Sequence, residues 1–372
     1  MTAADLTKYL EDWAPPGSAW ERDNVGLQIG SGAGKIKNIL LCLELNEKVL
    51  NEALQKNCNF IFTHHPLIFN PIKRLDTEKD SQARLIEAII KNNLIVYSAH
   101  TNLDFTKDGV SFELARILKL KNIRFLENEE SNQFKVVIYV PADNVEDIST
   151  AIFDAGAGLI GEYNSCSFRT NGTGTFKGSK NSNPVIGKKE LLETVDEIRL
   201  EAIVDAWNLK KVLNAISKNH PYEEPAFDVI PLKNKNVNYG AGAIGELDIE
   251  MTEKVFLSHV AKCLRIKNFK YSDGRGKKIK KVAVCGGSGS ELLKIAISSG
   301  ADAFITADIK YHTYHDAQDR ILLIDAGHFE TEIFAMNSVE KKIKKFLDDE
   351  LEDRIKVFQY SGSTNPIKFY KQ

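Results

Sequence analysis

Long apolar runs are missing from these 372 residues. No stretch approaches the roughly 20 residues that cross a bilayer, so no membrane role is expected. Charge of one sign is missing too: 49 basic residues stand against 51 acidic ones, and the net charge is −2. With both signs well mixed, general binding to nucleic acid or to an anionic membrane is not expected, though a local basic patch stays open. Cysteine is sparse, and its five copies (Cys42, Cys58, Cys166, Cys263, Cys285) are scattered with no CxxC pair. That excludes a disulfide framework and a thiolate zinc knot. The first ten residues read as an amphipathic helix and lack the charged end and long apolar middle of a signal peptide. A cytoplasmic location is expected.

What is present is enough apolar residue for a sizeable core in two or more domains. Ile39–Leu43, Phe60–Thr63 and Leu94–Tyr97 are short apolar runs that read as buried strands. Amphipathic helices lie between them, so a largely parallel α/β sheet is expected. Around residues 126–133 the composition turns polar and a strand-helix-strand-strand-helix-strand order begins at Phe134, that of a ferredoxin-like fold. The region after it repeats the beginning. Phe60-Ile-Phe-Thr-His-His65 parallels Ala303-Phe-Ile-Thr-Ala-Asp308, and Leu94 to His100 and Asp104 parallels Leu322 to His328 and Glu332. The expected architecture is a duplicated α/β core of two facing halves, 1–127 and 237–372. An α+β ferredoxin-like domain, 128–236, is inserted between them.

The chemistry collects at the strand ends, where ligands bind in such sheets. Adjacent residues on a regular strand point to opposite faces, so His64 and His65 converge only if the chain turns there, and Pro66 blocks the strand's continuation. His328 and Glu332 share one face of a helix if one begins there. With Asp104 these make three nitrogen and two carboxylate donors, a mixed set that suits zinc, iron or manganese better than magnesium or calcium. Two such divalent ions held close together activate water at neutral pH. His100 is a ligand, a donor orienting Asp104, a general acid or base, or a packed histidine. Lys310, Tyr311, His312 and His315 follow a strand end and reach a substrate from the rim, or else form a solvated helix face. Cys285-Gly-Gly-Ser-Gly-Ser290 cradles a phosphate or simply turns tightly. Glu21, Asp23 and Asn24 sit in a turn where nothing local separates site from surface. His220-Pro-Tyr-Glu-Glu-Pro225 is a binding cluster or a fixed bend.

Six stretches together carry a family likeness: Asp23-Asn-Val-Gly-Leu-Gln28, Thr63-His-His-Pro66, Ser98-Ala-His-Thr-Asn-Leu-Asp104, Gly240-Ala-Gly-Ala-Ile-Gly-Glu246, Thr306-Ala-Asp-Ile-Lys-Tyr-His312 and Gly327-His-Phe-Glu-Thr-Glu332. They resemble the GTP cyclohydrolase 1 type 2 homolog family, over both halves of the chain. The unit holding His220 is similar to the domain, related to PII signalling and divalent-cation-tolerance proteins, that some members carry. The resemblance implies two divalent metal ions held by His64, His65, Asp104, His328 and Glu332, with Glu332 touching both, and a toroidal homohexamer. It moves His100 behind the ligands. Glu44 departs from the family's usual shorter aspartate, and Ala307 from its usual glycine. The expected function is a metal-dependent hydrolase of a nucleotide-like or phosphorylated small molecule, with His100, Lys310 and His312 as catalytic candidates. The alternative is a non-catalytic metal-handling or regulatory protein whose PII-like insert senses a small ligand.

Overall fold

A computed structural model of the chain describes residues 1–370. They divide into two compact units, one made of 1–127 with 239 onward and the other of 128–238. Among the described residues no helix is long and apolar enough to cross a membrane.

The larger unit begins with α1 (Ala3–Trp13), β1 (Gly26–Ile29), β2 (Asn38–Cys42), α2 (Glu47–Gln55), β3 (Phe60–Thr63), α3 (Ser81–Lys91), β4 (Ile95–Ser98), α4 (Thr101–Asp104), α5 (Val110–Ile117) and β5 (Lys121–Glu129). The smaller unit holds β6 (Gln133–Pro141), α6 (Val145–Asp154), β7 (Ser167–Lys177), β8 (Leu192–Asp205), α7 (Ala206–Asn219) and β9 (Phe227–Pro231). The larger unit resumes with β10 (Asn236–Met251), α8 (Glu253–Leu264), β11 (Lys270–Ser272), β12 (Ile279–Ser288), α9 (Leu293–Ser298), β13 (Ala303–Ala307), α10 (Tyr311–Ala317), β14 (Leu322–Asp325), α11 (His328–Glu332), α12 (Ala335–Asp349) and β15 (Lys356–Gln359).

Local chemistry sets the helix starts. Thr2 and Asp5 close a capping box on α1, and the Asn46 and Asp80 side chains accept the first amides of α2 and α3. Each satisfies donors that the helix itself leaves open.

Two sheets form the larger unit, in the orders β1-β4-β3-β2-β15 and β11-β14-β13-β12-β10-β5. Their centres, β2-β3-β4 and β12-β13-β14, are parallel. The first sheet is largely parallel, with β1 antiparallel at its edge, and the second is mixed, because β10 and β11 pair antiparallel. Those strands enter ahead of the strand-helix-strand run, so no crossover helix fixes their direction. Helices cover both faces of each sheet, and β3 and β4 are buried throughout, which is why they read as continuous apolar runs.

The halves exchange their last elements. Helix α5, from the first half, buries Phe112, Leu114 and Ala115 against Val282, Val284 and Ile305 of the second sheet. Helix α12, from the second half, buries Met336, Val339 and Ile343 against Ile39, Leu41 and Phe60 of the first. The chain then ends by adding β15 parallel to β2. Fully burying each such aliphatic side chain contributes about 1.5–3 kcal/mol, so the exchange welds the halves together.

In the smaller unit the antiparallel sheet β7-β8-β6-β9 packs Val136, Ile138 and Val140 against Ile148, Ile152, Val212 and Ile216 of its two helices.

Candidate metal centre

Strand β3 runs parallel to both neighbours, and its pairing to β2 outlasts the strand. The amides of His64 and His65 still donate to Cys42 and Leu43 at 3.2 and 2.9 Å. The two imidazoles nevertheless converge, with ring centroids 4.9 Å apart. His100, just before α4, lies 5.2 and 5.3 Å from these rings, and His328 lies 5.4 Å from His65. Strand ends of both sheets therefore meet in one place.

Each imidazole is held from behind by an oxygen on its Nδ1. His64 donates to the Ala99 carbonyl at 2.9 Å and His65 to Glu44 at 3.0 Å. His100 donates to Asp23 at 3.0 Å and His328 to Asp308 at 2.6 Å. Such partners fix the ring and leave Nε2 as the coordinating nitrogen. The Nε2 atoms of three rings face Glu332. His328 stands 3.1 Å and His64 3.8 Å from Oε1, whereas His65 stands 3.2 Å from Oε2. His64 Nε2 also lies 3.7 Å from Asp104 Oδ1.

His64 Nε2, Asp104 Oδ1 and Glu332 Oε2 are buried, yet none makes a hydrogen bond. Native proteins rarely leave such atoms orphaned, because each costs about 1–3 kcal/mol and more if charged. Ligands about 2.1 Å from one tetrahedral ion stand about 3.4 Å apart, within the span of the distances just given. The donor groups fit a metal, and His64-His65-His100 and His65-His328-Glu332 are each close enough to share one.

The electrostatics agree. Burial alone would raise the Glu332 carboxyl, but the imidazoles of His328, His64 and His65 around it hold it well below the usual carboxylate range. Burial would lower His65, yet Glu332 and Glu44 push it up to about 10. His328 rises to about 9, chiefly through Glu332. Burial raises Asp104 against the opposing pull of His64. Without metal, the centre holds protons where an ion would sit.

Gly287, in the left-handed region at φ +63°, closes the centre on the side of the second sheet. A Cβ there would stand 2.2 Å from Glu332 Oε1 and 3.3 Å from His328 Nε2. This close approach accounts for a glycine near the end of β12. A cavity of about 490 Å³ opens beside it, lined by Trp20, His100, Asp104, Glu291, His328 and Glu332 among others. Among the described residues no lysine or arginine lines it.

The five expected ligands thus come together, with His100 beside them. Lys310 and His312 stand at the start of α10 and do not line the cavity; His312 and His315 pack on Tyr311. His220 uses both ring nitrogens on backbone partners, donating to the Tyr139 carbonyl of β6 and accepting from the Tyr222 amide. Sequence reasoning left Asp23 unassigned and did not see what Glu44 and Asp308 hold. A carboxylate following a strand is the signal for the latter two. The duplication is also offset by one residue at the site. Ala99 donates to Thr63 as Ala326 donates to Thr306, so His328 corresponds to Thr101, and His100 to Gly327.

Residues 1–366 match the Duf34/NIF3 (NGG1p interacting factor 3) family. The chain is 38% identical over 366 residues to a GTP cyclohydrolase 1 type 2 homolog of Halalkalibacterium halodurans, covering 98% of each chain. It is 36% identical over 371 residues to the Bacillus subtilis protein of the same name, covering 99% of each. A Bacillus cereus protein related to NIF3 superposes with a TM-score of 0.84 at 36% identity, covering 100% of this chain and 99% of that one. With sequence and fold agreeing over both halves, the chain belongs to the Duf34/NIF3 family.

Proposed function

We propose that this protein binds two divalent metal ions (zinc, iron or manganese) and hydrolyses a nucleotide-like or otherwise phosphorylated small molecule. The observation that carries the reading is the set of buried atoms His64 Nε2, Asp104 Oδ1 and Glu332 Oε2, which lack a hydrogen bond among the described residues and face imidazoles already anchored from behind. His64, His65, Asp104, His328 and Glu332 would hold the ions. A bound pair of cations supplies Lewis acidity and activates water. The chain's residues do the rest. Asp23 keeps the Nδ1 proton of His100 in place, so Nε2 exchanges a proton with the leaving group. Lys310 and His312 would serve from the rim, by meeting the distal part of a substrate.

A second reading is a non-catalytic metal-handling or regulatory protein, in which the PII-like, ferredoxin-like insert senses a small ligand. Two observations favour it. Among the described residues no lysine or arginine lines the cavity beside the candidate centre to meet a phosphate, and the smaller unit has its own cavity of about 730 Å³ walled by Phe176, Tyr222 and Glu197 among others. The assembly we assign is a homohexamer, with exposed Phe69, Ile72 and Leu75 as apolar surface for neighbours to cover; a monomer in sedimentation removes it.

Protein purified without added metal should carry about two ions per chain by elemental analysis. Metal-loaded protein should turn over at least one member of a panel of nucleotides and phosphate esters, and a His64→Ala, Glu332→Ala double variant should turn over none. Equal turnover by both ends the enzyme reading and leaves the second.

A further inference from the structure

Beyond β15 the chain does not simply trail away. Tyr360 continues the pairing, donating to Leu41 at 2.9 Å. Ser361 is tied to Glu52 by its amide and its hydroxyl, at 3.0 and 2.6 Å. Over the next residues the strand is exposed except at Thr364 and Asn365. Those two reach the carboxylates flanking the centre. The Thr364 hydroxyl donates to Oε2 of Glu44, whose Oε1 holds Nδ1 of His65. Asn365 donates from Nδ2 to Glu330 at 2.8 Å, and Glu330 lies on α11 between His328 and Glu332.

We propose that the segment from Tyr360 to Tyr370 is a strap that positions the metal centre, with Thr364 as a positioning residue for His65 through Glu44. The inference rests on the reading of His65 as a metal ligand. The physical reason is freedom of rotation. Glu44 follows a strand on a flexible three-torsion side chain, and one hydrogen bond to His65 leaves it free to swing. A second bond from Thr364 fixes the carboxylate plane, so His65 keeps its ring aimed at Glu332 before a metal arrives. Asn365 steadies α11, which carries the other two groups. The Thr364 contact joins residues 320 apart in the chain and the Asn365 contact residues 35 apart, so the strap ties the first half to the second.

The test uses the full-length protein, stripped of metal, with Zn²⁺ as probe against a chelating dye. Partners behind a metal ligand typically change affinity about 10- to 100-fold, so Thr364→Val should weaken Zn²⁺ binding by about 10-fold. Thr364→Ser, which keeps the hydroxyl, should stay within about 2-fold of the parent. In a Glu44→Ala background Thr364→Val should add less than about 2-fold, because the route through Glu44 is already cut. If Val at this position prevents folding, Thr364→Ala carries the same comparison. Parent-like binding by Thr364→Val overturns the strap while leaving the centre standing. An equal loss in the Glu44→Ala background overturns the route through Glu44. A parent chain that binds no Zn²⁺ overturns the centre, and the strap with it.

Discussion

The two halves of the core share a scaffold and arm it differently. After β3 the first half places His64 and His65. At the matching positions after β13 the second half places Ala307, fully buried, and Asp308, whose backbone is left-handed at φ +54°. The first half thus puts donors on the strand end. The second puts a holder there and takes its donors, His328 and Glu332, from the helix after the next strand. Duplication supplied equivalent positions, and the chemistry was divided between them. Only where the halves face each other does a complete donor set exist, with Glu332 of the second half touching imidazoles from both.

The sharpest way to break this picture is to compare the two carboxylates. Glu332 stands within 3.8 Å of three imidazoles, whereas among the described residues Asp104 comes within 4 Å of one, His64, at 3.7 Å. Glu332→Gln should therefore weaken Zn²⁺ binding more than Asp104→Asn does. Calorimetric titration of the stripped proteins reads both values. Equal losses would mean that the second half does not bridge the centre.

Protonation sharpens the same comparison, because imidazoles of both halves are raised, His64 and His65 in the first and His328 in the second. In the metal-free protein His65 is pushed up to about 10 and His328 to about 9, so both carry protons at neutral pH. A metal must displace them. Binding at pH 7 should release protons, seen as a buffer-dependent heat, and the release should vanish above about pH 10 as affinity rises. The folded state of the metal-free protein should change the opposite way. Raised imidazoles contribute stability that is fully present below the ordinary value of 6.5 and is lost as pH climbs through 9 and 10. A melting midpoint without metal that rises over that window would contradict the assignment.

Much of this was legible in the chain because its signals are local. A short apolar run ending in His64-His65-Pro66 announces both a buried strand and an irregular end. The spacing of His328 and Glu332 is that of one helix face. The exchange of α5 and α12 was not legible, since an amphipathic helix carries an apolar stripe but no label for the sheet it will cover. Asp23 was invisible for another reason. Its partner His100 is 77 residues away, and its own surroundings are an ordinary polar turn. The one-residue offset between His100 and His328 was concealed by the sequence likeness itself. Matching histidine to histidine is natural by eye, but the ladder hydrogen bonds of Ala99 and Ala326 set the true register.

The smallest expected difference lies among the holders, and it tests whether the halves differ in stiffness as well as in donors. Glu44 is gripped twice, by His65 and by Thr364, and its side chain is 36% exposed. Asp308 grips His328 alone and is 51% exposed, so water can take its place and screens its charge more fully. Removing Glu44 strips His65 of its partner where less water can enter; removing Asp308 leaves His328 a solvent that hydrogen-bonds nearly as well. Glu44→Ala should therefore cost about 10-fold or more in Zn²⁺ affinity, and Asp308→Ala only a few-fold, below the usual 10-fold for such partners. Competition with a chelator on the two variants side by side measures the gap. A larger loss at Asp308 would show that the short contact at 2.6 Å outweighs its exposure. The second half would then be the more rigid wall of the centre.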